Sequence, residues 1–216
     1  MMRKINSTIL FVFFYIFIFG QEKDNQSWNT ISVDKEISNK INISIKESFR
    51  VGENYSFLYK YFTDTRLKYN YNNNMSLAIG FRYINEREED DLDILKEKKY
   101  RYYTEFSVKK SIDRTRISLR NRFQRQGDST EYKNTIRQKI SINYDIKKSK
   151  IKPITSAEYF YRKDEKINKI RFSLGLEYPI TKQLELYLGY RKQKETKGNN
   201  PLTINIIELK LNYNIK

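Results

Sequence analysis

The stretch LEYPITKQLELYLGYR, residues 176–191, contains two short segments in which apolar and polar residues alternate. The first segment leads into a polar turn at Lys182–Gln183, and the second begins at Leu184. Alternation at every second position gives a β-strand one apolar face and one polar face. The stretch therefore predicts a β-hairpin, and a similar hairpin lies at residues 67–82. In both copies a tyrosine precedes a glycine by eleven residues and an arginine by thirteen.

The end of the first strand in this hairpin recurs along the chain as apolar, polar, tyrosine and a turn-forming residue. The pattern is found at Leu67–Asn72, Ile142–Lys147, Leu176–Thr181 and Leu211–Lys216, with weaker forms at Val33–Ser38 and Val108–Asp113. Successive copies start 34, 41, 34, 34 and 35 residues apart. This spacing predicts a repeating hairpin of about 34 residues, which accounts for almost the whole chain after the N-terminus.

The fold class predicted from this repeat is an all-β, antiparallel, up-and-down transmembrane barrel. Most of the predicted strands have ten or more residues, longer than is usual in soluble sheets. Short turns at one end, longer loops at the other and an outward apolar face are typical of outer-membrane barrels. Since bacterial barrels normally have an even number of strands, we expect about ten, with twelve as the alternative. The segment Trp28–Glu36 is then expected to be a partial strand or a plug-like piece.

The N-terminus has the layout of a secretory signal peptide. Arg3 and Lys4 precede the apolar run Ile9–Phe19, which Gly20 closes before a polar sequence begins. The predicted division is therefore 1–20 signal peptide, 21–39 N-terminal segment and 40–216 barrel, with a retained N-terminal anchor as the alternative to cleavage. Removing 1–20 takes two of the 42 Lys and Arg residues, so the formal charge falls from +16 to +14.

The two strand faces predict two sets of residues. The outward tyrosines Tyr69, Tyr144, Tyr178 and Tyr213 are expected at one level, as an aromatic girdle at the membrane interface. The inward charged residues are expected to form an ionic network that packs the lumen. That predicted network comprises Arg82, Arg116, Arg120, Arg122, Arg137, Arg191, Glu105, Glu158, Glu177, Glu185 and Glu208. The alternative interpretations of the same wall are a selective pore and a binding site for an anion.

Catalysis is restricted by composition, since the chain has no histidine and no cysteine. Ser–His and Cys–His nucleophiles are therefore excluded, as are imidazole and thiolate metal sites. We expect no catalytic residue, no cofactor and no metal. The acidic segment 85–98 is expected to be a surface loop, or alternatively a site where divalent ions bridge to lipopolysaccharide. Strict alternation and an export signal argue against nucleic-acid binding, despite the interleaved basic and aromatic residues.

Several motifs resemble the domain-of-unknown-function 2490 family of exported bacterial proteins. They are the Trp28–Ile37 start, LAIGFRY at 77–83, KIKPITSAEYFYR at 150–162, LGYRKQKE at 188–195 and NPLTINIIELKLNYNIK at 200–216. The resemblance implies an outer-membrane barrel of unassigned activity, and it transfers no functional residues to this chain.

The function predicted from these observations is a non-enzymatic outer-membrane barrel with a structural or surface role. The expected partners are outer-membrane lipid, lipopolysaccharide and the barrel-assembly machinery; the oligomeric state stays open. One alternative is a small transport pore with a basic lumen. Another is a soluble periplasmic β-protein that binds an anionic ligand.

Overall fold

Eleven β-strands make up nearly all of residues 23–90, 93–196 and 201–215, which the computed structural model describes. The strands are β1 Lys23–Ser38, β2 Ile41–Gly52, β3 Phe57–Asn70, β4 Met75–Asp90, β5 Asp93–Ile112, β6 Thr115–Gly127, β7 Tyr132–Tyr144, β8 Lys152–Arg162, β9 Lys166–Pro179, β10 Leu184–Glu195 and β11 Thr203–Ile215. In the described ranges there is no helix long and apolar enough to cross a membrane. The predicted signal peptide lies outside the described residues.

All eleven strands belong to one closed barrel in the order β1-β11-β10-β9-β8-β7-β6-β5-β4-β3-β2. Neighbours along the chain pair antiparallel, as predicted. The closing pair differs, because β1 lies parallel to β11 in a register that runs from Lys23 opposite Thr203 to Lys35 opposite Ile215. The barrel is therefore a ribbon of hairpins closed by one parallel seam.

The predicted count of about ten strands, with twelve as the alternative, is close but not exact, since the described residues form eleven strands. The difference arises in the N-terminal segment. This segment is not a partial strand or plug: β1 has sixteen residues and hydrogen-bonds to β2 on one side and β11 on the other. The rule of even number assumes that the first and last strands meet antiparallel. A parallel seam removes that requirement, so an odd number of strands can close the barrel.

Side-chain oxygens close several of the turns between strands. Asn72 Oδ1 accepts hydrogen bonds from the backbone N–H groups of Asn74 and Met75, each at 2.8 Å. Thr181 Oγ1 accepts from the backbone N–H groups of Gln183 at 3.1 Å and Leu184 at 2.9 Å. A short polar side chain that binds the backbone two or three residues later favours a tight turn. These local contacts fix where the strands end and hence the hairpin register.

We call the barrel end that contains Ile215 the C-terminal rim and the opposite end, where the β4–β5 hairpin lies, the hairpin rim. The connections have two to seven residues at either rim. Their lengths therefore do not show the expected contrast between short turns at one rim and longer loops at the other. The segment 85–98 is not a surface loop in its described part. Instead β4 and β5 continue pairing from Asn85 opposite Lys98 to Asp90 opposite Asp93. This continuous ladder satisfies backbone groups that a loop would leave to water.

The outer wall of the barrel is largely apolar. Exposed outward side chains include Ile31, Val33, Ile45, Leu67, Leu77, Ile79, Phe81, Leu119, Phe123, Ile140, Phe172, Leu174, Leu176, Leu188, Ile207 and Leu209. Continuous apolar surface of this extent is unfavourable in water, whereas it suits the hydrocarbon region of a bilayer. The charged side chains of the buried ion pairs lie on the other face, inside the barrel. This inverted arrangement is the one that the strand alternation predicts.

Candidate functional site: the charged interior

Glu105, on β5, is surrounded by arginines from the neighbouring strand β6 and from β3. Arg122 Nε donates to Glu105 Oε1 at 2.6 Å from the opposing position on β6. Arg120 and Arg66 each place a guanidinium nitrogen 3.6 Å from this carboxylate. Glu105 is only 4% exposed, so its charge is compensated by protein groups rather than by water.

Glu158, on β8, is the second centre of the interior. Its Oε1 accepts from Arg120 Nη2 and from Arg137 Nη2, each at 2.8 Å. Arg171 Nη1 lies 3.6 Å from the other carboxylate oxygen. Three guanidinium groups from three different strands therefore converge on one buried carboxylate.

Two further pairs complete the layer. Arg82 Nε donates to Asp64 Oδ2 at 2.7 Å, and the hydroxyl of Tyr103 donates to Asp64 Oδ1 at 2.8 Å. At the seam, Arg191 Nη2 lies 3.0 Å from Glu208. We call the layer formed by Asp64, Arg82, Glu105, Arg122, Arg137, Glu158, Arg191 and Glu208 the waist. Its four carboxylate residues are between 2% and 6% exposed.

Aromatic rings lie against the guanidinium groups of the waist. Arg82 lies over Phe62 with 3.8 Å from Cζ to the ring centroid, and Arg122 lies over Tyr103 at 3.9 Å. Arg137 lies over Phe160 at 4.4 Å. A cation over an aromatic face is attracted by the ring quadrupole, and more so when both are shielded from water. The rings and ion pairs together fill the middle of the barrel.

Three residues predicted for the network lie apart from it. Arg116, Glu177 and Glu185 have inward positions, but among the described residues none of them lies within 4.0 Å of an opposite charge. All three lie near the C-terminal rim, where Arg116 is exposed. Position along the strand therefore separates them from the residues that meet at the waist.

Asp64, which belongs to the waist, and Arg171, which contacts it, were not among the residues predicted for the network. Asp64 pairs with Arg82, and Arg171 approaches Glu158. A signal for Asp64 did exist, since positions 64 and 82 are symmetric about the 70–76 turn and lie opposite each other in the observed register. The same signal marks Arg171, which lies opposite Glu158 in the register of the β8–β9 hairpin.

Gly80 and Gly189, the glycines shared by the two similar hairpins, lie against buried tyrosines. A Cβ added to Gly80 would lie under 3.0 Å from the ring of Tyr103, and one added to Gly189 would lie equally close to Tyr187. Gly175 has the same relation to Tyr187. These glycines therefore accommodate two buried tyrosines that lie flat against the inner wall.

The four tyrosines predicted as a girdle all lie on the outer face within two residues of the end of their strands, at the C-terminal rim. Tyr69, Tyr144, Tyr178 and Tyr213 are between 41% and 45% exposed. A second outward aromatic group lies nearer the hairpin rim, where Phe81 and Tyr102 have ring centroids 5.2 Å apart.

Open space inside the barrel lies on both sides of the waist. A cavity of about 260 Å³ toward the C-terminal rim is lined by residues that include Lys68, Asn70, Lys109 and Lys139. A second cavity, of about 270 Å³, lies toward the hairpin rim, and we call it the hairpin-rim chamber. The two cavities share no lining residue. Trp28, Phe160 and Arg171 form the floor of the hairpin-rim chamber, on the side of the waist.

The turns at the hairpin rim contain two carboxylates, Asp128 and Glu165, whose pKa values are lowered. The Thr130 hydroxyl and the backbone N–H groups of Glu131 and Thr130 donate to Asp128, which holds the pKa of that carboxyl well below its usual value. A hydrogen bond from Asn168 and the charge of Arg162 lower the pKa of Glu165. Both groups are therefore ionised at neutral pH and satisfied locally.

No group of three or more acidic side chains with the geometry of a metal site occurs in the part of the chain that the structure describes. Neither a nucleophile–base pair nor an oriented acid–base pair is evident there.

The chain belongs to the family described as "Protein of unknown function (DUF2490)", whose model matches residues 25–203. This confirms the family resemblance drawn from the sequence motifs. Comparison with curated proteins gives no match.

Among solved structures, the chain is similar to two porin barrels. One is a KdgM porin in complex with disordered oligogalacturonate, with a TM-score of 0.50 and 15% identity over 75% of this chain and 81% of that one. The other is the NanC porin in a rhombohedral crystal form, with a TM-score of 0.50 and 12% identity over 78% of this chain and 86% of that one. At this identity the likeness shows the barrel fold alone.

Proposed function

We propose that the protein is a non-enzymatic barrel of the bacterial outer membrane, with a structural or surface role that depends on a closed interior. The carrying observation is the burial of the waist. A side chain that lines a water-filled channel is exposed, whereas Glu105, Glu158 and Glu208 are 4%, 6% and 2% exposed. Their partners are arginines from the facing strands, so the charges neutralise one another instead of lining a path.

The membrane location is supported by the apolar outer wall and by the terminal tyrosines. Tyrosine at both ends of a lipid-facing surface is typical of membrane interfaces, where the ring is apolar and the hydroxyl is hydrated. On this proposal the C-terminal rim is periplasmic and the signal peptide directs export. Outer-membrane lipid and lipopolysaccharide are its surroundings, and the barrel-assembly machinery inserts it.

A small transport pore is the second candidate. It is favoured by the partly exposed cations near the waist, Arg66, Arg120 and Lys210, whose side chains are 28–30% exposed. The KdgM structure is titled as a complex with oligogalacturonate, an acidic oligosaccharide, and a basic interior would favour an acidic solute. A pore requires that the waist open, because the ion pairs described above occupy its centre.

Planar-bilayer recording distinguishes the two candidates. Purified protein is folded into detergent, checked for the heat-dependent gel shift of a closed barrel, and then inserted into bilayers. The closed-interior proposal predicts no steady conductance above the background of empty bilayers. Stable, stepwise channels from the folded protein would establish the pore instead. A protein that remains in the supernatant after membrane pelleting and shows no gel shift would contradict the membrane location itself.

A further inference from the structure

The hairpin-rim chamber has an excess of cations. Six of its lining side chains are basic, and Glu195 is the one acidic side chain among the lining residues that the structure describes. The basic residues are Arg50, Lys60, Arg101, Arg162, Lys169 and Arg171. The walls are protein and the floor is closed by the waist, so field lines between these charges pass through a medium less polarisable than water.

Four of the six cations already have acidic partners. Lys60 lies 2.5 Å from Glu86, and Lys169 lies 3.0 Å from Glu195. Arg162 pairs with Glu165 at 3.3 Å, and Arg171 approaches Glu158 at 3.6 Å. These four belong to the same scheme of charge compensation as the waist.

Arg50 and Arg101 do not follow this scheme. Within the described residues, neither has a carboxylate oxygen within 4.0 Å of its guanidinium. Arg101 Nε donates to the neutral amide oxygen of Gln126 at 2.7 Å. Arg50 lies over the ring of Trp28 at 3.7 Å, and its buried Nε has no hydrogen-bond partner. A ring face accepts no conventional hydrogen bond, and a hydrogen bond with the Tyr59 hydroxyl engages only part of the guanidinium, so the Nε donor of Arg50 has no partner among the described residues.

From this arrangement we propose that the hairpin-rim chamber binds a small oxyanion, carrying carboxylate or phosphate groups, through the guanidinium groups of Arg50 and Arg101. Guanidinium presents paired N–H donors that match both kinds of group. The volume of about 270 Å³ lies just below the usual range for drug-sized ligands and therefore suits a small one. The site lies above the waist, so the inference does not depend on whether the barrel conducts.

Equilibrium dialysis of the full, folded protein in a non-ionic detergent tests this site directly. The probe is radiolabelled citrate at constant ionic strength, with pyrophosphate as a second probe that separates phosphate from carboxylate recognition. We expect saturable binding of about one anion per barrel. Arg50→Gln and Arg101→Gln should each weaken binding at least tenfold. Trp28, the single tryptophan of the chain, lies beneath Arg50 and should change its fluorescence over the same concentration range.

Arg125→Gln is the matched control. Arg125 is also an arginine near the hairpin rim and also lies over a ring, that of Tyr132 at 5.1 Å, but it is on the outer wall. Its substitution should leave the affinity unchanged. Absence of saturable binding of both probes, or an equal loss in Arg125→Gln, would overturn the proposal. If Arg50→Gln fails to fold, as judged by the gel shift, Arg101→Gln and the charge-retaining Arg101→Lys decide the outcome.

Discussion

The waist and the hairpin-rim chamber contain the same kinds of side chain but differ in how their arginines are paired. In both, guanidinium groups lie over aromatic rings: Arg82 over Phe62 in the waist, and Arg50 over Trp28 in the chamber. In the waist every arginine also has a carboxylate, whereas in the chamber Arg50 and Arg101 have none within 4.0 Å among the described residues. The number of arginines alone therefore does not indicate whether a wall is structural or able to bind a ligand. The presence or absence of a carboxylate partner for each arginine does indicate it.

The largest effect should follow from removing the acidic centre of the waist. Glu158→Ala leaves Arg120, Arg137 and Arg171 without their shared partner. Breaking a buried ion pair on one side typically costs about 3–5 kcal/mol, because the remaining charge stays buried. We expect a loss of this order in the free energy of unfolding, measured by urea titration of barrels in lipid vesicles. The control is Glu177→Ala, which removes an inward glutamate that has no ion pair among the described residues and should cost less than about 1 kcal/mol.

Crowding the wall beneath Tyr103 should have the next largest effect. A glycine in a strand interior is normally less stable than alanine by about 0.5–1 kcal/mol. Gly80→Ala should nevertheless destabilise the barrel by about 1–3 kcal/mol, since its Cβ would overlap the ring of Tyr103. Adding Tyr103→Ala should reverse the sign of the glycine substitution in a double-mutant cycle. Additive effects of the two substitutions would mean that the ring does not lie against Gly80.

Arg120→Ala should destabilise the barrel by a smaller amount, about 1–2 kcal/mol. Arg120 bridges Glu158 at 2.8 Å and Glu105 at 3.6 Å, but its side chain is 28% exposed. Water therefore recovers part of the lost interaction, and Arg122 and Arg137 continue to hold the two carboxylates. Thermal unfolding followed by the gel shift gives the measurement. An unchanged melting temperature would contradict a packed ionic network at this position.

The smallest effect on stability should come from a substitution in the hairpin-rim chamber. Arg101→Gln removes a cation whose partner among the described residues is the neutral Gln126 and which lies among other positive groups. Relief of repulsion should offset the lost hydrogen bond, so unfolding should change by no more than about 0.5 kcal/mol. The same urea titration serves, with Arg122→Gln as a waist counterpart that should cost several times more. A large loss in Arg101→Gln would erase the distinction between the two regions.

Much of this architecture follows from local sequence pattern. Alternation assigns Leu176 and Leu188 to the outer wall and Glu158 to the interior, because a strand has only two faces. Hairpin register follows from the turns, and it places Arg122 opposite Glu105. The pairing of Asp64 with Arg82 was open to the same reasoning about the 70–76 turn.

The other features depend on how the first and last strands close the barrel, and no local sequence pattern indicates that pairing. Ile206 is fully buried inside the barrel although its type suggests the outer wall, because it packs with Trp28 and Ile204 next to the seam. The parallel pairing of β1 with β11 joins segments about 180 residues apart, and no periodicity within either strand specifies it. For the same reason the excess of cations in the chamber emerges only when strands from both halves of the chain meet.

The parallel seam also decides the sidedness of the molecule. In a barrel closed antiparallel, the first strand begins at the rim where the last strand ends. Here β1 begins at Lys23 on the hairpin rim and β11 ends at Ile215 on the C-terminal rim. In a membrane the two positions would face different compartments, so that anything attached before Lys23 and anything attached after Ile215 would be separated by the bilayer.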